Sequence, residues 1–295
     1  MPDWNWDSEE LSEEYLSWHA AARKDCQRDI LQMTHFASSG HPGGSLSSLD
    51  IYLVLYSHAN IQASDPWKSG RDRIVVSHGH TSPGVYSVLC RLGYFSSDEV
   101  VASFRRTHNI FEGHIERIVP GVEWTTGNLG QGLSAATGMA TAEKMQDRDV
   151  NLFVPMGDGE QQKGQIAEAR RFAKKFDLTN ITAIVDYNQL QIGGDISEIM
   201  PQDIAAGYAS DGWKVLELDG HDPVEIHKAL RTAIKDTSTP YVLIANTVMG
   251  KGIGFMEGLA KFHGSPCSNE QYAEAAAASG DDPELWDRDL WKSKI

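Results

Sequence analysis

Leu152-Phe153-Val154 leads, three residues later, into Gly157-Asp158-Gly159-Glu160; Ile181-Thr182-Ala183-Ile184-Val185 leads directly into Asp186-Tyr187-Asn188. Each apolar, β-branched run reads as a buried parallel strand. Between them, Gln165 to Phe176 has helical spacing, so the stretch is one βαβ crossover. A crossover of that kind brings Asp158 and Asn188, thirty residues apart, to strand ends on the same edge of a sheet. A carboxylate and an amide oxygen are hard donors suited to magnesium, which takes few protein ligands and completes its octahedron with phosphate oxygens and water. Gly157 and Gly159 would let backbone N–H groups approach a diphosphate closely. A Gly-Asp-Gly alone is commonly just a turn; the asparagine one unit later is what gives it weight.

Outward from this core, Ile74-Val75-Val76, Trp213 to Leu216 and Tyr241 to Ala245 read as further strands. Helical spacing runs from Leu16 to Phe36, where Ser38-Ser39-Gly40 stops it, from near Ser47 through Leu49 to Tyr56, and over Leu133 to Met145 and Pro223 to Ile234. The expectation is an α/β fold, a doubly wound and mostly parallel sheet flanked by helices. Residues 1–295 read as a single domain with short extensions at each end, the last of them, Asp281 to Ile295, a polar tail with two tryptophans.

With 41% hydrophobic residues the chain can fill a core of that size. Lys and Arg number 26 against 41 Asp and Glu, a net charge of −15, which argues against nucleic acid or an anionic membrane as partner. There is no run of 18 apolar residues and no basic, apolar leader, and three widely spaced cysteines show no disulfide or zinc pattern. The expected location is the cytoplasm. Met139, Met145 and Met156 read as core filler.

Several blocks occur in a distinctive order: Ser39-Gly40-His41-Pro42-Gly43-Gly44, Arg71-Asp72-Arg73, Ser77-His78-Gly79-His80, Pro120-Gly121-Val122-Glu123, Thr125 to Gly132, the Gly157 motif, and Phe262-His263-Gly264. Over roughly residues 12 to 275 the chain resembles the thiamine-diphosphate-binding N-terminal domain of transketolases. That resemblance implies transfer of a two-carbon ketol unit from a ketose donor to an aldose acceptor, with thiamine diphosphate and Mg2+ as cofactors, Ca2+ being able to substitute. It implies Asp158, Asn188 and the Leu190 carbonyl as metal ligands, His80 and His263 on the diphosphate, and the Gly127 and Leu129 backbone at the aminopyrimidine. Ile192 would support the thiazolium, and His41 and His114, with His263, would serve donor binding and proton transfer. Histidine suits that work because its ordinary titration lies near neutrality. His19, His35, His58, His221 and His227 are expected to be structural, with His78 and His108 left open.

The resemblance does not extend to the family's pyrimidine-binding and C-terminal domains. It therefore implies a split enzyme, active only with a separate C-terminal subunit, as two of each chain. Rivals are the α subunit of a 2-oxo-acid dehydrogenase-type decarboxylase and a non-catalytic cofactor-binding homologue. Three departures stand out. Lys163 lies where the family has an interface glutamate, Glu168 being retained, and Ile115 and Asn128 adjoin the expected sugar channel.

Overall fold

In the computed structural model residues 4–287 are described. The N-terminal half opens with three helices, α1 (Glu13–Phe36), α2 (Pro42–Ser47) and α3 (Leu49–His58), then a short strand β1 (Arg73–Ile74) and helices α4 (Ser82–Arg91), α5 (Ser97–Ser103) and α6 (Gln131–Met145). Then come β2 (Leu152–Gly157), α7 (Gly164–Lys175), β3 (Ile181–Tyr187) and a small hairpin of β4 (Leu190–Gln191) and β5 (Gly194–Asp195). The chain continues through α8 (Ile196–Ile199), α9 (Ile204–Ser210), β6 (Lys214–Asp219), α10 (Pro223–Lys235), β7 (Tyr241–Asn246) and α11 (Asn269–Ser279).

Five strands form one parallel sheet in the order β1-β2-β3-β7-β6. Its central strands are apolar on both faces because helices cover both. Phe153, Ile184 and Leu243 point to a core shared with α1, α3 and α4, while Leu152, Val154, Ala183, Val185, Val242 and Ile244 point to the core under α6, α7 and α9. β1 is shorter than the expected Ile74–Val76, yet its ladder continues irregularly: Val75 N–H donates to the Phe153 carbonyl at 2.8 Å and Ser77 N–H to Pro155 at 2.8 Å. The register pairs Gly157 with Asp186 and Asp186 with Ala245, so the loops after these strands leave one edge together.

Capping chemistry sets the helix limits. Ser12 accepts from Tyr15 N–H ahead of Glu13 and Glu14, and α1 ends as expected, with Ser38 at φ +50° and Gly40 at +135°. Two of the ordered blocks turn out to be braces. Arg71 and Arg73 share Glu123 at 2.6 and 2.9 Å, and Arg73 reaches Glu143 at 2.8 Å. The C-terminal tail is not simply polar and solvated: Asp281 pairs with Lys24 and Arg28, and Trp286 is buried edge-on to Tyr272. Its second tryptophan, Trp291, lies outside the described residues. Met156 is core and Met139 half-buried, but Met145 is 81% exposed, contrary to its reading as filler, because it ends α6 at the surface.

Candidate active site

At the carboxyl edge of the sheet, the loops after β1, β2, β3 and β7 enclose a cavity of about 130 Å³. Its lining includes Gly44, His80, Leu129, Asp158, Asn188 and His263. Asp158 is buried and accepts from Gln189 N–H at 2.5 Å, with the Gly159 amide also turned to it. Burial, reinforced by nearby Asp186, raises its carboxyl to about 7. Asn188 donates through Nδ2 to Ser47 Oγ at 3.0 Å and accepts at Oδ1 from Leu190 N–H at 3.0 Å. Among the described residues no group of three or more His, Cys, Asp or Glu could hold a metal. Of the three carboxylates in the lining, Glu160 and Asp186 are taken up by donors of the chain itself, so the Asp158 carboxylate, the Asn188 amide oxygen and the nearby Leu190 main chain are the donor types that fit a magnesium ion sharing its shell with phosphate and water.

The two motif glycines behave differently from expectation. Gly157 N–H donates to the Glu160 carboxylate at 3.0 Å, and Gly159 N–H faces Asp158, so both amides serve the chain's own carboxylates. What Gly157 does leave is space. A Cβ there would meet only His78 Cβ, at 3.8 Å, so packing within the chain does not demand glycine, whereas an approaching ligand would. Glu160, raised to about 6 by burial, also accepts from Ser77 Oγ at 2.5 Å and Gly130 N–H at 2.6 Å.

Four histidines from distant parts of the chain converge. The His41 ring centre lies 5.1 Å from His80, 5.8 Å from His263 and 5.9 Å from His114, and His80 lies 5.1 Å from His263. His41 thus neighbours His80 and His263, which line the edge cavity, and His114, which with Arg105, Glu112 and Glu116 lines a wide-open one of about 470 Å³. Burial lowers all four, with His41 at about 4, and neighbouring imidazoles and Arg105 add to the effect on His41. All four are neutral near pH 7, each imidazole offering one donor and one acceptor. The buried Nδ1 atoms of His41 and His263 have no protein partner.

Gly127 is exposed and backs onto the His114 ring, Leu129 and Leu190 line the cavity, and Ile192 stands 79% exposed at its rim. His78 is structural, held by Ser48 and Tyr52 hydroxyls at 3.0 Å each. His221, also structural, links Asp50 to Val248 N–H, and His108 is exposed. Ile115 is 1% exposed in the main core and does not line the open cavity, because its N–H is tied to the Gly79 carbonyl with the side chain turned inward. Sequence reasoning missed Ser47, Asp186 as a hub, Glu160 as a brace, and Arg105. Only Glu160 carried a local signal, as the acid closing the glycine motif.

The sheet and its edge cavity define an α/β protein of the class that binds ligands beyond its strand ends. Residues 27–286 match the transketolase thiamine diphosphate binding domain. An apulose-4-phosphate transketolase subunit from Phocaeicola vulgatus is 38% identical over 251 residues, covering 84% of this chain and 89% of that one. A 6-deoxy-6-sulfo-D-fructose transketolase subunit from a Clostridium species is 37% identical over 81% of this chain and 87% of its own. The crystal structure of Campylobacter jejuni transketolase superposes with a TM-score of 0.84 at 34% identity, over 96% of this chain but 49% of that one. The chain thus spans most of the subunit-length relatives and about half of that solved transketolase. It belongs to the transketolase family, as its thiamine diphosphate binding domain.

Proposed function

We propose that this chain is the diphosphate-binding subunit of a two-carbon ketol transferase, working with a separate subunit that carries the pyrimidine-binding and C-terminal domains, two copies of each. The observation that carries this reading is the pairing of Asp158 and Asn188 at neighbouring strand ends, in a cavity lined by His80 and His263, whose rings lie 5.1 and 5.8 Å from His41, itself 5.9 Å from His114. In support of a partner, two relatives are named as transketolase subunits. Ile192 at the cavity stands 79% exposed, and Ile199 and Met200, at the end of the following helix α8, 47% and 52%, apolar side chains suited to being covered.

Asp158, Asn188 and the Leu190 carbonyl would hold Mg2+, or Ca2+ in its place, with His80 and His263 on the diphosphate. The Gly127 and Leu129 backbone would meet the aminopyrimidine and Ile192 the thiazolium. Thiamine diphosphate, when bound, supplies the electron sink for cleaving and forming the carbon–carbon bond. His41 and His114, neutral at working pH, both donate to and accept from sugar hydroxyls, and either can take up and return a proton without placing a fixed charge beside the donor. Arg105 is the cation beside them. Among the described residues no helix is long and apolar enough to cross a membrane, and we propose a cytoplasmic location.

Calorimetric titration of thiamine diphosphate into the assembled complex, with and without magnesium, tests the site. Asp158→Ala should abolish magnesium-dependent binding while still unfolding cooperatively, at a temperature lowered by the loss of the acceptor for Gln189 N–H. Wild-type affinity in the variant would remove Asp158 from the metal site.

A further inference from the structure

Asp186, at the end of β3 and 3% exposed, accepts hydrogen bonds from three hydroxyls: Ser48 Oγ at 2.6 Å, and Ser47 Oγ and Thr247 Oγ1 in shorter contacts. A carboxylate accepts and has no proton to offer, so the Ser47 hydroxyl must spend its single proton on Asp186. The Ser47 oxygen can then only accept, and the group 3.0 Å away is the side-chain amide of Asn188. That amide must present Nδ2 to Ser47, and Oδ1 comes to lie 3.0 Å from Leu190 N–H. The reverse orientation fails at both ends: Nδ2 would face the Leu190 N–H, donor against donor, and Oδ1 would face a hydroxyl oxygen with no proton left.

We infer that Ser47 and Asp186 are positioning residues that fix which end of Asn188 faces the cavity. The amide oxygen retains a second lone pair after bonding Leu190 N–H, and oxygen is the end of an amide that binds a hard cation. The control comes from outside the metal motif. Ser47 closes α2, Asp186 is the last buried residue of β3, and Thr247 follows β7, so three separate segments set the polarity of one ligand. The inference rests on the proposed role of Asn188 as a metal ligand.

The test is magnesium affinity of the assembled complex at saturating thiamine diphosphate, measured by calorimetry. Ser47→Ala should weaken magnesium binding roughly 10–100-fold, the usual range for partners that orient a ligand. Ser47→Thr, which keeps the hydroxyl, should restore most of the affinity. In the Asn188→Ala background Ser47→Ala should cause no further loss, because Ser47 acts only through that amide. Unchanged affinity in Ser47→Ala, or the same loss in both backgrounds, would overturn the relay. Unchanged affinity in Asn188→Ala alone would instead overturn the metal assignment beneath it. Thermal unfolding checks that each variant is folded, and Ser47→Cys, similar in shape but a weak acceptor, carries the same expectation if the alanine variant does not fold.

Discussion

Gly157 N–H donates to the Glu160 carboxylate at 3.0 Å, closing the turn after β2 on itself. The same carboxylate holds Gly130 N–H at 2.6 Å and Ser77 Oγ at 2.5 Å, so one buried acid pins three loops of the site edge. Glu160→Ala strands those donors away from water. It should cost about 3–5 kcal/mol of stability, read as a lower midpoint in chemical denaturation. A loss under about 1 kcal/mol would mean that water or another acceptor replaces the carboxylate.

His114 sits on the open side of the histidine cluster, 5.9 Å from His41 and away from the Asp158 loop. His114→Ala should therefore reduce kcat/KM for the ketose by roughly 2–4 kcal/mol in activation terms while leaving thiamine diphosphate affinity near wild type. Steady-state kinetics beside calorimetry separate the two. A weakened cofactor with kcat preserved would move His114 to the diphosphate side.

At the other end of the sheet, Trp6 stacks on His58 at 5.0 Å and on His227 at 5.8 Å, strapping the N-terminal segment to α3 and α10. Burial, then the His227 charge, lowers His58 to about 4. Below about pH 6.5 the unfolded chain takes up a proton that the folded chain refuses. This contribution is complete above about pH 6.5 and lost as pH falls towards 4, roughly 3 kcal/mol for the full shift. The unfolding temperature should drop over that window, and His58→Phe, which keeps the stacking, should flatten the slope. An identical slope in both proteins would assign the acid sensitivity to other groups.

The sheet was legible because its central strands are buried on both faces and so appear as unbroken β-branched runs, with Asp158 and Asn188 conspicuous just beyond them. The grouping of His41, His80, His114 and His263 was legible only through the family resemblance, since nothing in periodicity brings them together. Asp186 was hidden because a carboxylate at the end of an apolar run looks like the start of a loop. It is buried only because Ser47, Ser48 and Thr247 arrive from far along the chain. Ile115 shows a related limit: sequence adjacency to His114 does not determine which of two neighbouring side chains turns inward, and here His114 lines the open cavity while Ile115 fills the core.

The central claim is that this chain supplies the diphosphate half of a ketol-transfer site and needs its partner for turnover. The most direct measurement is proton exchange at C2 of thiamine diphosphate, followed by NMR with magnesium present, for the purified chain alone and after mixing with the C-terminal subunit. Slow exchange and no ketol transfer are expected for the chain alone, with fast exchange and transfer restored together on mixing. Fast exchange in the chain alone would contradict the claim, and would require an activating acid within residues 1–295.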